Sequence, residues 1–295
     1  MLSARDPGAK PDSINCDYLY GGFLKEEDVE EFRKMLQKTR AIVSGSVLVA
    51  RISQHPFEPR DLDLFVKDKG TLEVGDFLGR RGFKFTPLSE RQVGTRRESK
   101  QQPTGFAEAV DTEFAEWNPN TGNVADRYKC CHLAGVFNFT NEEGKTIQVI
   151  ATRCTPVEAI LRFHSTAVMN FATANEVTCL FPTLTFIEKK NLVVRDANSS
   201  AVSDCIRKYE RRGWTTITQL SAFEALASNS DTRAFGRKVG DCRTWKIDIT
   251  PRTNGEGEEP YTQEHSWTLA FPTKDETRLR YKTVHAPEGQ EREML

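Results

Sequence analysis

Val43-Ser44-Gly45-Ser46 and, after a spacer of fourteen residues, Asp61-Leu62-Asp63-Leu64-Phe65-Val66 decide how this chain reads. Side chains alternate faces along a β-strand, so Asp61 and Asp63 project from one side. Leu62, Leu64 and Val66 point the other way, into a core. Two like charges held together repel, and a bound cation offsets the repulsion. Carboxylate oxygens are hard donors that suit Mg²⁺ or Mn²⁺ better than Zn²⁺. A Gly-Ser turn before a helix offers free N–H groups and a hydroxyl to a phosphate. Gly45 and Ser46 with Asp61 and Asp63 therefore read as a site for a metal-bound nucleoside triphosphate. Asp-x-Asp is common by chance, and a solvated strand edge explains many cases. Here the carboxylates interrupt a strongly apolar run, which a solvated face does not produce.

Working outward, Glu26 to Arg40 reads as an amphipathic helix with Val29, Phe32, Met35 and Leu36 on one stripe. It leads into a strand over Ala41–Ser44, the Gly45-Ser46 turn and a short helix near Val47–Ile52. His55-Pro56-Phe57-Glu58-Pro59 is a loop that delivers the strand Asp61–Val66. A helix over Leu72–Arg81 and a strand over Phe83–Thr86 follow. Residues 88–128 form a polar insertion in which Arg91, Arg96, Arg97 and Lys100 cluster. They are either a phosphate contact or a solvated charge run. Strands over His132–Phe139 and Lys145–Thr152 flank the turn Asn141-Glu142-Glu143-Gly144. Thr155 caps and Pro156 opens a helix reaching from Val157 to Phe171. Further elements are a helix over Ser203–Arg212, a strand within Asp241–Thr250 and a possible strand at 266–271. The layout predicts a flexible segment at 1–20, one domain over 21–250 carrying the insertion, and a mostly irregular tail at 251–295.

At 295 residues the chain has ample core for one large domain or two small ones. Its net charge of −1 gives no global positive field, so DNA binding is not expected, although a local basic groove is compatible with it. Seven cysteines without zinc-site spacing read as reduced thiols, which favours an intracellular location, cytosolic or nuclear. No signal peptide is apparent and no apolar run approaches the roughly 20 residues that span a bilayer, so no membrane partner is expected.

Gly-Ser, a spacer and Asp-hydrophobic-Asp-hydrophobic together resemble the signature of the DNA polymerase β-like nucleotidyltransferase superfamily. Ser44-Gly45-Ser46, Asp61 to Val66, Gly82-Phe83-Lys84-Phe85, Ile147-Gln148-Val149-Ile150, Ile160 to Thr166, Val168 to Phe171, Tyr209 and Arg212-Gly213-Trp214 widen the resemblance. They look like a nucleotidyltransferase-like group common in predicted proteins of mushroom-forming fungi, over about residues 40–245. The resemblance implies an α/β (α+β) fold: a mixed β-sheet flanked by helices, with the inserted polar loop and a helical C-terminal part. It also implies Mg²⁺-dependent transfer of a nucleoside monophosphate from an NTP to a hydroxyl on a protein, a small molecule or an RNA end. Asp61 and Asp63 would hold the metal, and Gly45 and Ser46 the nucleotide.

The superfamily site is usually completed by a third carboxylate on a later strand. The matching strand here is Thr146-Ile147-Gln148-Val149-Ile150, and Gln148 takes the acid's place. An amide oxygen can accept a metal contact but cannot act as a carboxylate base. The alternative is thus a catalytically impaired binding or regulatory protein of the same fold. Asp248 and Glu143 are the other acids weighed for the role, and Lys67 and Arg51 are candidate cations for the leaving group. His164 and Asn170 on the long helix either face the cleft or serve packing. Arg207, Lys208, Arg211 and Arg212 form either a phosphate-binding face or an exposed basic one.

Overall fold

The computed structural model describes residues 10–87, 103–115, 133–195, 200–226, 230–233, 236–252, 264–273 and 276–283. Nine strands form one mixed sheet: β1 (Ser13–Asn15), β2 (Ile42–Ser44), β3 (Asp61–Lys67), β4 (Lys84–Thr86), β5 (Leu133–Thr140), β6 (Thr146–Thr152), β7 (Asn170–Ala172), β8 (Glu176–Cys179) and β12 (Trp245–Thr250). Their order is β1-β12-β8-β7-β2-β3-β6-β5-β4. The central β3 is antiparallel to β2 and parallel to β6. Between and after these strands lie β9 (Lys190–Leu192) and β10 (Thr215–Ile217), which pair with each other, and β11 (Arg237–Lys238), which pairs with β13 (His265–Thr273). The last strand, β14 (Glu276–Thr283), pairs with β13 in turn. The helices are α1 (Cys16–Tyr20), α2 (Glu26–Thr39), α3 (Ser46–Ser53), α4 (Thr71–Arg80), α5 (Phe106–Ala115), α6 (Pro156–Leu161), α7 (Ser200–Glu210) and α8 (Ala222–Leu226). This is the mixed α/β architecture anticipated above.

The sheet has a core on each side, and β3 shows why. Leu62, Leu64 and Val66 are fully buried in one cluster with Ile147, Val149, Ala151 and the stripes of α2 and α4. Phe65, on the opposite face, joins Ile42 and Ile150 in a second cluster with Val157, Ile160 and Leu161 of α6. Each such buried aliphatic side chain contributes roughly 1.5–3 kcal/mol before entropy is counted. Helix α3 is buried from Ser46 to Ala50 and again at Ile52, so it is a core helix with little freedom to shift. Arg33 of α2 is also fully buried. It donates to the carbonyls of Ala174 (2.7 Å) and Ile249 (3.4 Å), tying the helix to the other half of the sheet.

Three expectations are corrected. The helix expected from Val157 to Phe171 ends at Leu161, and Asn170–Ala172 is instead the central strand β7. Buried on both sides, this segment has a continuous apolar run that fits helix and strand alike. Pairing with β2 and β8 decides the outcome. The tail expected to be irregular holds the hairpin β13–β14, where Trp267, Leu269, Leu279 and Tyr281 alternate inward onto the second cluster. The segment expected to be loose to residue 20 is anchored from Ser13: β1 pairs with β12, and Ile14, Leu19 and Tyr20 are buried. The basic cluster from Arg91 to Lys100, and Cys130 and Cys131, lie outside the described residues.

Candidate functional site

Cross-strand register builds a polar row on one face of the sheet. Ser44 lies opposite Asp63, Asp63 opposite Gln148, and Gln148 opposite Asn138. Thr146, beside Asp61, extends the polar surface toward the strand ends. One step along β3 the next row is Ile42, Phe65, Ile150 and Val136, the floor of the second core. The same face therefore changes from apolar to polar within two residues, and the polar stretch carries both carboxylates.

Gly45 brings the start of α3 to this row. Its backbone (φ 82°, ψ −156°) lies in a region essentially reserved for glycine. A methyl group there would stand 2.0 Å from Asp63 Oδ2, so the carboxylate rests directly against the glycine Cα. The first-turn N–H groups of α3 have no side-chain cap, and Ser46 is buried at its first position. They are the orphan donors that every helix start leaves, placed beside Asp63.

Asp63 keeps partial solvent contact at the residue level, yet its carboxylate is closely surrounded by protein. Burial first, and then repulsion from Asp61, push its pKa up to about 7, against a smaller opposing effect of Lys208. No hydrogen bond contributes to that balance. Two carboxylates are the donor set of an ion such as Mg²⁺ that keeps several waters and shares substrate phosphates. These residues fit the expected metal. Gln148 donates from Nε2 to Asn138 Oδ1 at 3.0 Å, which leaves its Oε1 as a neutral acceptor in the row. Among the described residues no group of three or more His, Cys, Asp and Glu side chains is placed to hold a metal.

The other candidates disperse. Asp248 stands on β12, with β8, β7 and β2 between it and β3, about 19 Å of strand spacing, and pairs with Arg252 at 2.5 Å. Glu143 is exposed in the β5–β6 turn. Lys67 is four residues from Asp63 at the far end of β3, about 13 Å away. Arg51 lies over the Tyr18 ring and 4.0 Å from Glu58. His164 is in the segment after α6, where burial lowers its pKa to about 4, and its carbonyl accepts the Val194 N–H. Asn170 supports the site from behind: its carbonyl accepts the Ser44 hydroxyl at 2.6 Å.

The basic cluster splits in two. Arg207 and Arg211 are exposed, the former paired with Asp204 at 2.6 Å. Lys208 and Tyr209 are turned to the field of Asp63, and Arg212 to that of Asp61. Cys205 feels Asp63 as well. Positions 205, 208 and 209 share one face of α7 and Arg212 follows in the turn after it, a spacing visible in the sequence that does not by itself say what the face meets. Two contributors escaped sequence reasoning, His55 and Phe57 in the loop before Asp61. Nothing in their spacing marks them.

No family model and no curated protein matches the chain. Three solved structures are similar over 72% of it: the Thermotoga maritima CCA-adding enzyme complexed with tRNA (13% identity, TM-score 0.41), a CCA-adding enzyme in complex with CTP (13%, 0.41) and a CCA-adding enzyme in an apo form (10%, 0.42). The similarity covers 44%, 45% and 44% of those chains, respectively, less than half of each.

Proposed function

We propose that this site binds a nucleoside triphosphate with a divalent cation and transfers its nucleoside monophosphate to a hydroxyl acceptor. The observation that carries the reading is Asp63: a crowded carboxylate, seated on Gly45, beside Asp61 and with no hydrogen bond to offset its charge. A site serving packing alone gains nothing from that arrangement, whereas a cation-binding site requires it. When bound, Mg²⁺ supplies Lewis-acid stabilisation of charge on the phosphates. Asp61 and Asp63 would hold it. The N–H groups that open α3 orient phosphate oxygens, and the apolar floor at Phe65 and Ile150 limits water beneath the row. Gln148 can position an acceptor hydroxyl through Oε1 but cannot take its proton. The acceptor belongs to a protein side chain, a small molecule or an RNA end.

A second reading, a nucleotide-binding protein without turnover, draws on the Gln148–Asn138 pair in place of an acid. Calorimetry with a nonhydrolysable NTP and Mg²⁺, beside a transfer assay with all four nucleotides, separates the two. Binding with turnover that Asp61→Asn abolishes is the expected result. Binding without turnover leaves the second reading, and no binding at all defeats both. Gln148→Glu places an acid in register with Asp63 and is expected to raise transfer roughly 100-fold, the lower end of what a positioned base contributes. An unchanged rate would show that proton removal does not limit the wild-type protein.

A further inference from the structure

We infer that Arg212 is the phosphate-binding cation of this site, taking the polyphosphate of the nucleotide that Asp61 and Asp63 bind with its cation. The inference rests on the reading proposed above and adds a residue to it.

Arg212 is held as no other arginine near the carboxylates is. Its guanidinium lies 3.7 Å from the centroid of the Phe57 ring and 5.5 Å from that of Tyr209. His55 fixes the two segments to each other. Its Nδ1 accepts the Phe57 N–H at 3.4 Å. The imidazole also packs against Phe57 (5.1 Å) and Trp214 (5.5 Å). Trp214 is anchored by donating from Nε1 to the Thr185 carbonyl at 2.9 Å. The loop that delivers Asp61 and the segment that delivers Arg212 are thereby locked together.

This places a cation that is always charged within the field of Asp61, with a donor to spare. Nη1 of Arg212 is buried and has no hydrogen-bond partner among the described residues, although the residue as a whole keeps partial exposure. An unsatisfied buried donor on a charged group is unfavourable, and a ligand acceptor removes the penalty. A planar guanidinium already stacked on an aromatic ring loses little freedom when it grips a phosphate in two-pronged fashion. The ligand must also suit the adjacent carboxylates. A metal-bound triphosphate offers both a cation for Asp61 and Asp63 and anionic oxygens for Arg212. Of the other cations, Arg207 pairs with Asp204, Arg51 lies against Tyr18 and Glu58, and Lys208 acts on Asp63 from the end of a flexible stem without a planar stack.

Calorimetry of the full chain with Mg²⁺ plus ATP and with Mg²⁺ plus inorganic tripolyphosphate tests this. Arg212→Gln is expected to weaken both roughly 10- to 100-fold, the scale of one lost charge-assisted contact. Mg²⁺ affinity measured alone should not fall and should rise slightly, because the variant removes a positive charge that acts on Asp61. Arg212→Lys keeps the charge but loses the planar stack, and is expected to fall between the two. Arg211→Gln, at an exposed position, should bind like the wild type. Wild-type binding of tripolyphosphate that survives unaltered in Arg212→Gln overturns the inference and leaves the proposed function standing. Loss of Mg²⁺ affinity and of melting temperature along with tripolyphosphate binding would assign Arg212 a structural role and overturn it too. A wild type that binds neither ATP nor tripolyphosphate removes the proposed function itself.

Discussion

Gly45→Ala is expected to lose binding of Mg²⁺ and ATP by more than about 100-fold, on the scale of several kcal/mol that misplaced binding groups cost. Two effects add at one atom. The backbone conformation, φ 82° and ψ −156°, strains any residue with a Cβ by roughly 1–3 kcal/mol. The Cβ would also approach Asp63 Oδ2 to 2.0 Å and Asp63 Cγ to 2.9 Å. The short aspartate side chain can relieve that overlap only by leaving its place in the row, because α3 behind Gly45 is buried from Ser46 to Ala50. Gly82→Ala separates strain from overlap: it has the same φ of 82° but open space around the new atom. It should lower the melting temperature and leave binding intact. A Gly45→Ala/Asp63→Ala double variant should lose less stability than the sum of its singles, since the second change removes the colliding oxygen. Calorimetry and thermal melts of the wild type, Gly45→Ala, Gly82→Ala, Asp63→Ala and the double variant decide this. Wild-type affinity in Gly45→Ala would show that Asp63 does not need its present position.

That glycine also marks how far sequence reading reaches. The alternation through Leu62, Leu64 and Val66 places two carboxylates on one face, and the structure has them there because a half-buried strand permits no other register. The neutral Gln148 beside Asp63 follows from the same period of two, carried across to β6. Elements that rest on local periodicity, such as α2 and the β5–β6 hairpin, are legible for the same reason. What fails is whatever tertiary contacts decide. Asn170 lies in a run whose apolar spacing fits a helix, and only the vacancy between β2 and β8 makes it a strand. The hairpin near Trp267 is concealed by averaging its alternation with polar neighbours. The approach of Arg212 to Phe57 joins segments more than a hundred residues apart, through a ring-on-guanidinium contact that no spacing encodes.

Asp63→Asn is expected to stabilise the metal-free protein above pH 7 while removing its cation site. The sign follows from the shift. In the folded chain burial raises the Asp63 carboxyl to about 7 from the ordinary aspartate value of 3.8, so the folded state holds its proton more tightly than the unfolded state does. Below about pH 4 both states are protonated and the group contributes nothing to pH dependence. As pH rises from about 4 to about 7 the unfolded chain ionises first, and stability falls; above 7 the loss is complete. At about 1.4 kcal/mol per unit, and reduced for the partial solvent contact of the residue, the loss amounts to roughly 2–4 kcal/mol. Asparagine keeps the shape and has no charge to bury. Its advantage over the wild type should grow from near zero at pH 4–5 to a plateau above pH 7, seen in EDTA as a melting temperature higher by roughly 4–12 °C. Added Mg²⁺ should reverse the order at pH 8, raising the melting temperature of the wild type and not of Asp63→Asn, because only an ionised pair binds the ion. If the variant in EDTA is the less stable protein at pH 8, or if its difference from the wild type is flat across pH 5–8, then Asp63 is held by compensating contacts and burying its charge carries no penalty. If the difference follows the predicted curve, the chain carries a carboxylate that weakens it at neutral pH, which is the mark of a residue kept for what it binds rather than for what it stabilises.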